Sequence, residues 1–181
     1  YEENTIKLGT VATVEEFWLL YVHLRRPIDE RPSSCAYHVF REGIKPMWED
    51  EANINGGKWI VRLKKGLAAR YWEDVLLAIL GGAFTGVDDD EICGAVLSVR
   101  YQEDILSVWN RSADSRRVCM QIRDTMRSVM SLPDGANMEC ALARPPPPRA
   151  PRRACPCSCS SFCCSAQPAS ACVRVAATDK K

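Results

Sequence analysis

The sequence predicts an α+β fold on a largely antiparallel sheet for residues 1–140 of the 181-residue chain. Segments with alternating apolar residues are interspersed with segments whose apolar residues recur at helical spacing. Two strand-like segments, 92–100 and 105–110, are separated by a short turn and therefore form a hairpin, the connection typical of antiparallel sheets. From residue 141 onward the periodic apolar pattern stops, which sets the boundary of the domain.

The first elements are a short strand at residues 6–11 and a helix that begins after Thr13. Thr13 and Glu16 have the spacing of a capping box. We expect the helix to end near Arg26, because Pro27 cannot continue it.

This first helix carries two apolar stripes. The core stripe consists of Phe17, Leu20, Tyr21 and Leu24. The second consists of Val14, Trp18 and Val22. A surface helix normally needs one stripe. Periodicity favours a helix that is buried on both faces, and the alternative is that Val14 and Trp18 face outward to a partner.

The remaining elements follow in order. They are strands at 37–41 and 58–64, a helix at 67–80, the hairpin strands, a helix at 116–131 and a strand at 137–140. In strand 58–64 one face carries Lys58, Ile60 and Arg62. The other face is fully apolar, so we predict a half-buried strand.

Residues 141–181 are predicted to be a disordered tail rich in Pro, Arg and Cys. Six cysteines lie between Cys155 and Cys172. Closely spaced thiolates can chelate a soft metal, but the spacing does not match a paired zinc knuckle. The alternative, which we prefer, is translated intron or frameshifted sequence.

Charge and composition exclude several classes of protein. Residues 1–140 carry 17 Lys and Arg against 22 Asp and Glu, so nucleic-acid binding would need a local site rather than bulk positive charge. No apolar run is long enough to span a membrane, and no leader sequence follows Tyr1. The four scattered cysteines of residues 1–140 suit reduced thiols in the cytosol or nucleus.

No catalytic or cofactor signature is present. His23 and His38 have no nucleophile in a recognisable context. Gly56-Gly57 lacks the spacing of a phosphate-binding loop, and the acidic run 88–91 resembles a calcium loop only in its charge. We therefore expect a protein that is not an enzyme, with no cofactor and no metal.

An aromatic residue beside acidic residues suggests a different chemistry. Trp48 precedes Glu49 on a loop. A flat cationic ring stacks on Trp by cation–π attraction, and a carboxylate can accept both N–H groups of a guanine edge. Lys58 and Arg100 on nearby strands could hold phosphates.

Four blocks resemble the translation initiation factor 4E family of mRNA cap-binding proteins. They are VEEFWLLYVHL, GIKPMWEDEANINGGKW, YWEDVLLAILG and EICGAVLSVRYQEDILSVWN, and they match in order and spacing over about residues 1–140. The resemblance is closest to class II, the 4E-homologous or novel cap-binding proteins, because Tyr1 stands where class I has Trp.

The resemblance implies a cupped antiparallel sheet backed by three helices, with the 7-methylguanosine cap in the concave face. Tyr1 and Trp48 would sandwich the base, and Glu49 would bind its N1 and N2 hydrogens. Trp109 would approach the methyl group. Lys58 and Arg100 would reach the phosphates.

The resemblance also implies a dorsal helical face for protein partners. Its residues are Val14, Trp18, Asp74, Leu77 and Gly81. The partner would be a helix with a Tyr-x4-Leu-apolar motif, carried by a 4G-like scaffold or a 4E-binding repressor. We expect a monomer, in the cytoplasm or also in the nucleus, that binds capped mRNA in translation initiation or its regulation. The alternative is an interaction protein that keeps this face but does not bind cap.

Departures from the family pattern predict a weaker cap site. Gln102 and Ile105 stand where class I has phosphate-binding lysines, and Glu73 replaces an apolar residue on the partner face. The strand before Tyr1 is missing, and the tail replaces the last strand. We therefore expect exposed sheet edges and marginal stability.

Overall fold

The computed structural model describes residues 5–27, 35–133, 135–142 and 173–179. These residues form seven strands and three helices. In chain order they are β1 Thr5–Val11, α1 Val14–Tyr21, β2 Cys35–Arg41, β3 Gly57–Leu63, α2 Ala68–Leu80, β4 Ile92–Val99, β5 Asp104–Asn110, α3 Arg116–Val129, β6 Met138–Leu142 and β7 Val173–Asp179. None of the helices described is long and apolar enough to cross a membrane.

The strands form one curved sheet in the order β1-β7-β2-β4-β5-β3-β6. Every neighbouring pair in this sheet is antiparallel. The predicted α+β fold with an antiparallel sheet and three helices is therefore confirmed.

The main core lies between one face of the sheet and the helices. Phe17 of α1, Trp72 of α2 and Ile122 of α3 are buried in it and pack with alternate residues of the strands, such as Trp59 and Val61 of β3. Burying each large apolar side chain contributes roughly 1.5–3 kcal/mol. Because side chains alternate along a strand, the remaining residues of β3 project from the opposite face.

A smaller apolar cluster supports that opposite face. It consists of Phe40, Ile44, Cys93, Val96 and Trp109. None of the three described helices contributes to this cluster, so a ligand could lie on this face of the sheet.

Helix α1 begins as the sequence predicts and ends earlier. Thr13 Oγ1 accepts from the Glu16 amide at 3.2 Å, and Glu16 Oε2 accepts from the Ala12 amide at 2.8 Å, which is a capping box. The helix ends at Tyr21 rather than near residue 26. After it, the amide of Leu24 bonds the Tyr21 carbonyl three residues back, a tighter turn than that of an α-helix.

The predicted disorder of residues 141–181 is wrong for two segments. Strand β6 continues through residues 141 and 142, and Val173–Asp179 form β7. Strand β7 pairs with β1 on one side and with β2 on the other. The expected replacement of the last strand by the tail is therefore also wrong for Val173–Asp179, because backbone pairing needs only a segment that can extend.

Candidate functional site

A pocket of about 680 Å³ opens on the sheet face that carries no helix. It lies between the loop after β2 and strands β3, β4 and β5. Its lining residues are Pro46, Met47, Trp48, Glu49, Lys58, Ile60, Arg62, Val96, Ser98, Arg100, Ile105, Ser107 and Trp109.

The loop that carries Trp48 is held by two polar side chains. Asp50 accepts from the amides of Lys45 and Ala52, both at 2.9 Å. Asn53 is fully buried, and its Nδ2 donates to the carbonyls of Lys45 and Met47, both at 2.8 Å. These bonds fix the backbone on both sides of Trp48. Asp50, one of the acids next to this tryptophan, therefore has a structural role in the loop.

Trp48 and Trp109 form the aromatic part of the pocket. Their ring centroids are 5.2 Å apart and their planes are inclined by 48°. Trp109 is buried and meets Phe40 edge-on, with centroids 5.9 Å apart. Trp48 is 39% exposed, which leaves much of its ring surface accessible to a ligand.

Gly94 makes room for this aromatic arrangement. It is the sheet partner of Phe40 on one side and of Trp109 on the other. A Cβ at this position would lie 2.4 Å from the Val39 carbonyl oxygen and 2.6 Å from Cγ of Phe40. Only glycine fits without moving the strand or the Phe40 ring.

Lys58 faces both tryptophans. It is the direct sheet partner of Trp109, and its Nζ lies 4.2 Å from the Trp48 ring centroid and 5.2 Å from that of Trp109. These are cation–π distances. Burial lowers the pKa of the Lys58 ammonium, and the positive charge of Arg100 lowers it further.

The basic residues of the pocket differ in their pairing. Arg62 forms ion pairs with Glu103 and Glu139, which balance its charge. Among the described residues, no ion pair is found for Lys58 or Arg100. These two cations therefore give the pocket an affinity for anions.

The position of Arg100 is set by the hairpin turn. Asp104 is buried, accepts from the Arg100 amide at 3.2 Å and pairs with Lys65 Nζ at 2.7 Å. The carboxylate thus fixes the start of the turn, while the Arg100 side chain remains exposed.

Five residues predicted for the cap site line this one pocket. They are Trp48, Glu49, Lys58, Arg100 and Trp109. The sixth, Tyr1, lies outside the described residues. Asn53 and Gly94 were not predicted from the sequence, although the turn signal at residues 53–57 and a glycine inside a strand were available signals.

The predicted partner residues lie on the helices, on the other side of the sheet. Val14 and Leu77 are 43% and 53% exposed, whereas Trp18 is half-buried against Phe17 and Tyr21. Burial of both stripes of α1 is therefore wrong for Val14 and also for Val22, which is exposed. Asp74 is half-buried and Gly81 is exposed.

Helices α1 and α2 are linked by polar contacts around Glu73. Tyr21 Oη donates to Glu73 at 3.4 Å, and Arg26 lies 3.7 Å from the same carboxylate. Burial raises the pKa of Tyr21 well above its usual value, and the Glu73 charge adds to the effect. Glu73, which departs from the class I pattern, therefore has a structural role between the helices. Within the part of the chain described, no cluster of His, Cys, Asp and Glu could hold a metal.

Comparisons with known proteins agree with this geometry. A family model described as eukaryotic initiation factor 4E matches residues 1–143. The chain is 51% identical over 139 residues to eukaryotic translation initiation factor 4E-4 of Caenorhabditis elegans, which covers 77% of this chain and 64% of the relative. It is 48% identical over 139 residues to eukaryotic translation initiation factor NCBP of Oryza sativa subsp. japonica, covering 77% and 60% respectively.

A solved structure is also similar to this chain. The complex of C. elegans eIF4E-3 with the 4E-binding protein Mextli and cap analog superimposes with a TM-score of 0.67 at 38% identity, over 71% of this chain and 73% of that chain. The chain spans about 60% of the length of the curated relatives it matches. The resemblance stated from the sequence, including its novel cap-binding type, is confirmed. The chain belongs to the eukaryotic initiation factor 4E family.

Proposed function

We propose that this protein binds the 7-methylguanosine cap of mRNA and acts in translation initiation or its regulation in the cytoplasm, as a binding protein and not an enzyme. The observation that carries the proposal is the convergence of Trp48, Glu49, Trp109 and two unpaired cations on one pocket. Each of these groups matches one part of a cap nucleotide.

The base would be recognised by its face and by its edge. Trp48 stacks on the cationic ring, a contact worth roughly 1–3 kcal/mol per base. Glu49 lies next to it in the pocket and accepts from N1 and N2, the donor pair that guanine presents. Trp109 lies at the methyl side. We propose Tyr1 for the opposite wall, on the resemblance alone.

The phosphates would be held by Lys58 and Arg100. Both line the pocket, and Arg100 can bind a phosphate with two N–H groups. Gln102 and Ile105 add no charge, so the phosphate contribution would be smaller than in class I members.

Retention on a 7-methyl-GTP resin tests the assignment. We expect Trp48→Ala and Glu49→Ala to lose retention, because one removes the stacking surface and the other removes the acceptor of the guanine edge. Glu51→Ala is the matched control, since Glu51 is an exposed acid of the same loop that does not line the pocket. Wild-type retention of both site variants would contradict the proposal.

A second candidate function is an interaction protein that does not bind cap. The exposure of the apolar residues Val14 and Leu77 favours it. Its partners would be a 4G-like scaffold or a 4E-binding repressor with a Tyr-x4-Leu-apolar helix, and the structural neighbour in complex with Mextli supports this. We propose that the dorsal helical face, with Trp18, Asp74 and Gly81, receives this helix whether or not the cap also binds.

Two measurements separate these functions. Saturable quenching of tryptophan fluorescence by 7-methyl-GTP supports cap binding, and no quenching together with peptide binding supports the second candidate. For the dorsal face we expect Leu77→Arg to lose a Tyr-x4-Leu-apolar peptide and to keep 7-methyl-GTP. Leu19→Arg is the matched control, because Leu19 is 67% exposed on α1 outside the stripe of Val14 and Trp18.

A further inference from the structure

One ring face of Trp48 already faces a cation. Lys58 Nζ lies 4.2 Å from the Trp48 ring centroid, and a base stacked on this face would need the same space. The backbone of Lys58 is fixed in β3 opposite Trp109. Its four-carbon stem can nevertheless move the ammonium by several bond lengths without any change in the sheet.

Moving the Lys58 ammonium away from Trp48 costs free energy, and the ammonium then needs a new interaction partner. The cation–π contacts with Trp48 and Trp109 are lost when the base enters. Arg100 lies in the same pocket and repels the ammonium, so displacement toward Arg100 is unfavourable unless an anion lies between the two cations. A phosphate group between the two cations reverses the sign of this interaction and gives the ammonium a new partner.

Resting on the proposed cap-binding function, we propose that Lys58 is an internal competitor for the base site and a phosphate ligand in turn. The ammonium leaves the face of Trp48 at low cost only when the 5′ phosphates of the nucleotide receive it. Recognition of the base is thereby coupled to recognition of the phosphates, and a 7-methylated base without phosphates is disfavoured.

The nucleoside distinguishes this role from simple phosphate binding. A residue that only contacts phosphate has no effect on 7-methylguanosine, which carries none. An internal competitor weakens the binding of that nucleoside. We therefore expect Lys58→Met and Lys58→Ala to bind 7-methylguanosine about threefold to tenfold more tightly than wild type, the range that a lost cation–π competitor gives.

We expect the substitutions of Lys58 to improve the affinity for the nucleotide less than the affinity for the nucleoside. The same variants lose one phosphate contact, so the ratio of 7-methyl-GTP affinity to 7-methylguanosine affinity should fall by about tenfold. Lys58→Arg keeps a cation of similar reach and is the matched control, for which we expect nucleoside binding close to that of wild type.

The experiment is fluorescence titration of the full chain and its variants with 7-methylguanosine and with 7-methyl-GTP, accompanied by a thermal unfolding scan. Unchanged or weaker nucleoside binding in folded Lys58→Met and Lys58→Ala overturns the inference, even if wild type binds 7-methyl-GTP. If wild type itself shows no saturable binding of 7-methyl-GTP, the proposed function fails instead. Tighter nucleoside binding by both variants, but not by Lys58→Arg, supports internal competition.

Discussion

The buried side chain of Asn53 donates to the carbonyl oxygen of Met47 at 2.8 Å and so fixes the residue that precedes Trp48. The same nitrogen also donates to Lys45, so a single amide ties together the base of the loop. The position of the aromatic surface therefore depends on a side chain outside the pocket lining.

We expect Asn53→Asp to weaken 7-methyl-GTP binding and to lower the free energy of unfolding. The substitution keeps the shape but replaces the donor with an oxygen that faces two carbonyls, which costs about 1–3 kcal/mol. Titration and urea unfolding measure the two effects. Asn55→Asp makes the same change at an exposed position of the loop and should leave both quantities near wild type. Equal behaviour of the two variants would contradict the role of Asn53.

The substitution Ile105→Lys should strengthen binding of the phosphates. Ile105 lines the pocket near Arg100 on the hairpin. An added charge there contributes ~1 kcal/mol or less toward a phosphate, so Ile105→Lys should bind 7-methyl-GTP up to about fivefold more tightly. The gain should shrink as salt is raised, because exposed charges are screened.

The control for this gain is Ile54→Lys, since Ile54 is an exposed isoleucine that does not line the pocket. A gain of the same size at position 54, or a gain at 105 that also appears with uncharged 7-methylguanosine, would argue against a phosphate contact.

His38 should make stability depend on pH. Its side chain is 1% exposed, and burial lowers its pKa from 6.5 to about 4. Below pH 6.5 the unfolded chain takes up a proton that the folded chain does not, so stability falls as pH drops from about 6.5 to about 4. Between pH 7 and pH 5 the loss is about 2 kcal/mol for this group.

Urea unfolding at pH 7 and at pH 5 tests this dependence. His38→Asn should be less stable at pH 7 and should lose less stability on acidification than wild type. His23→Asn removes an exposed histidine and keeps His38, so it is the matched control. If His38→Asn keeps the full wild-type pH dependence, His38 is not the responsible group.

Strand β7 should contribute to stability through its backbone. Ala176 pairs with Lys7 on one side and with His38 on the other. Ala176→Pro removes an N–H from a strand with two neighbours and should lower the unfolding temperature by at least about 5 °C, given ~2–4 °C per kcal/mol for a chain of this size. Ala176→Ser keeps the N–H and serves as the control. An unchanged melting temperature for the proline variant would show that β7 does not stabilise the sheet.

The local elements could be predicted because their signals are local. The capping box at Thr13 marks the start of α1, and the alternation around Trp59 indicates β3. Each signal lies within a few residues of the element that it predicts. The five described cap-site residues followed from the resemblance, which a tryptophan beside an acid alone would not have specified.

Other features depend on distant parts of the chain and gave no local signal. Strand β7 lies in a composition typical of disorder, and it is a strand because β1 and β2 offer backbone partners on both sides. The contact between Lys58 and Trp48 likewise depends on how a loop lies over a sheet. Periodicity also cannot distinguish a buried stripe from one that is exposed for a partner, as Val14 shows.

The place of β7 in the sheet also sets an order of events during synthesis. Thr5 pairs with Thr178, so β1 cannot pair with β7 until Val173–Asp179 have been synthesised. Strands β2 to β6 can pair with one another earlier, because their partners lie closer in sequence. Until Val173–Asp179 emerge from the ribosome, the edge of β2 that pairs with β7 has no backbone partner from this strand. Chaperones or other nascent chains would bind the growing chain at this edge.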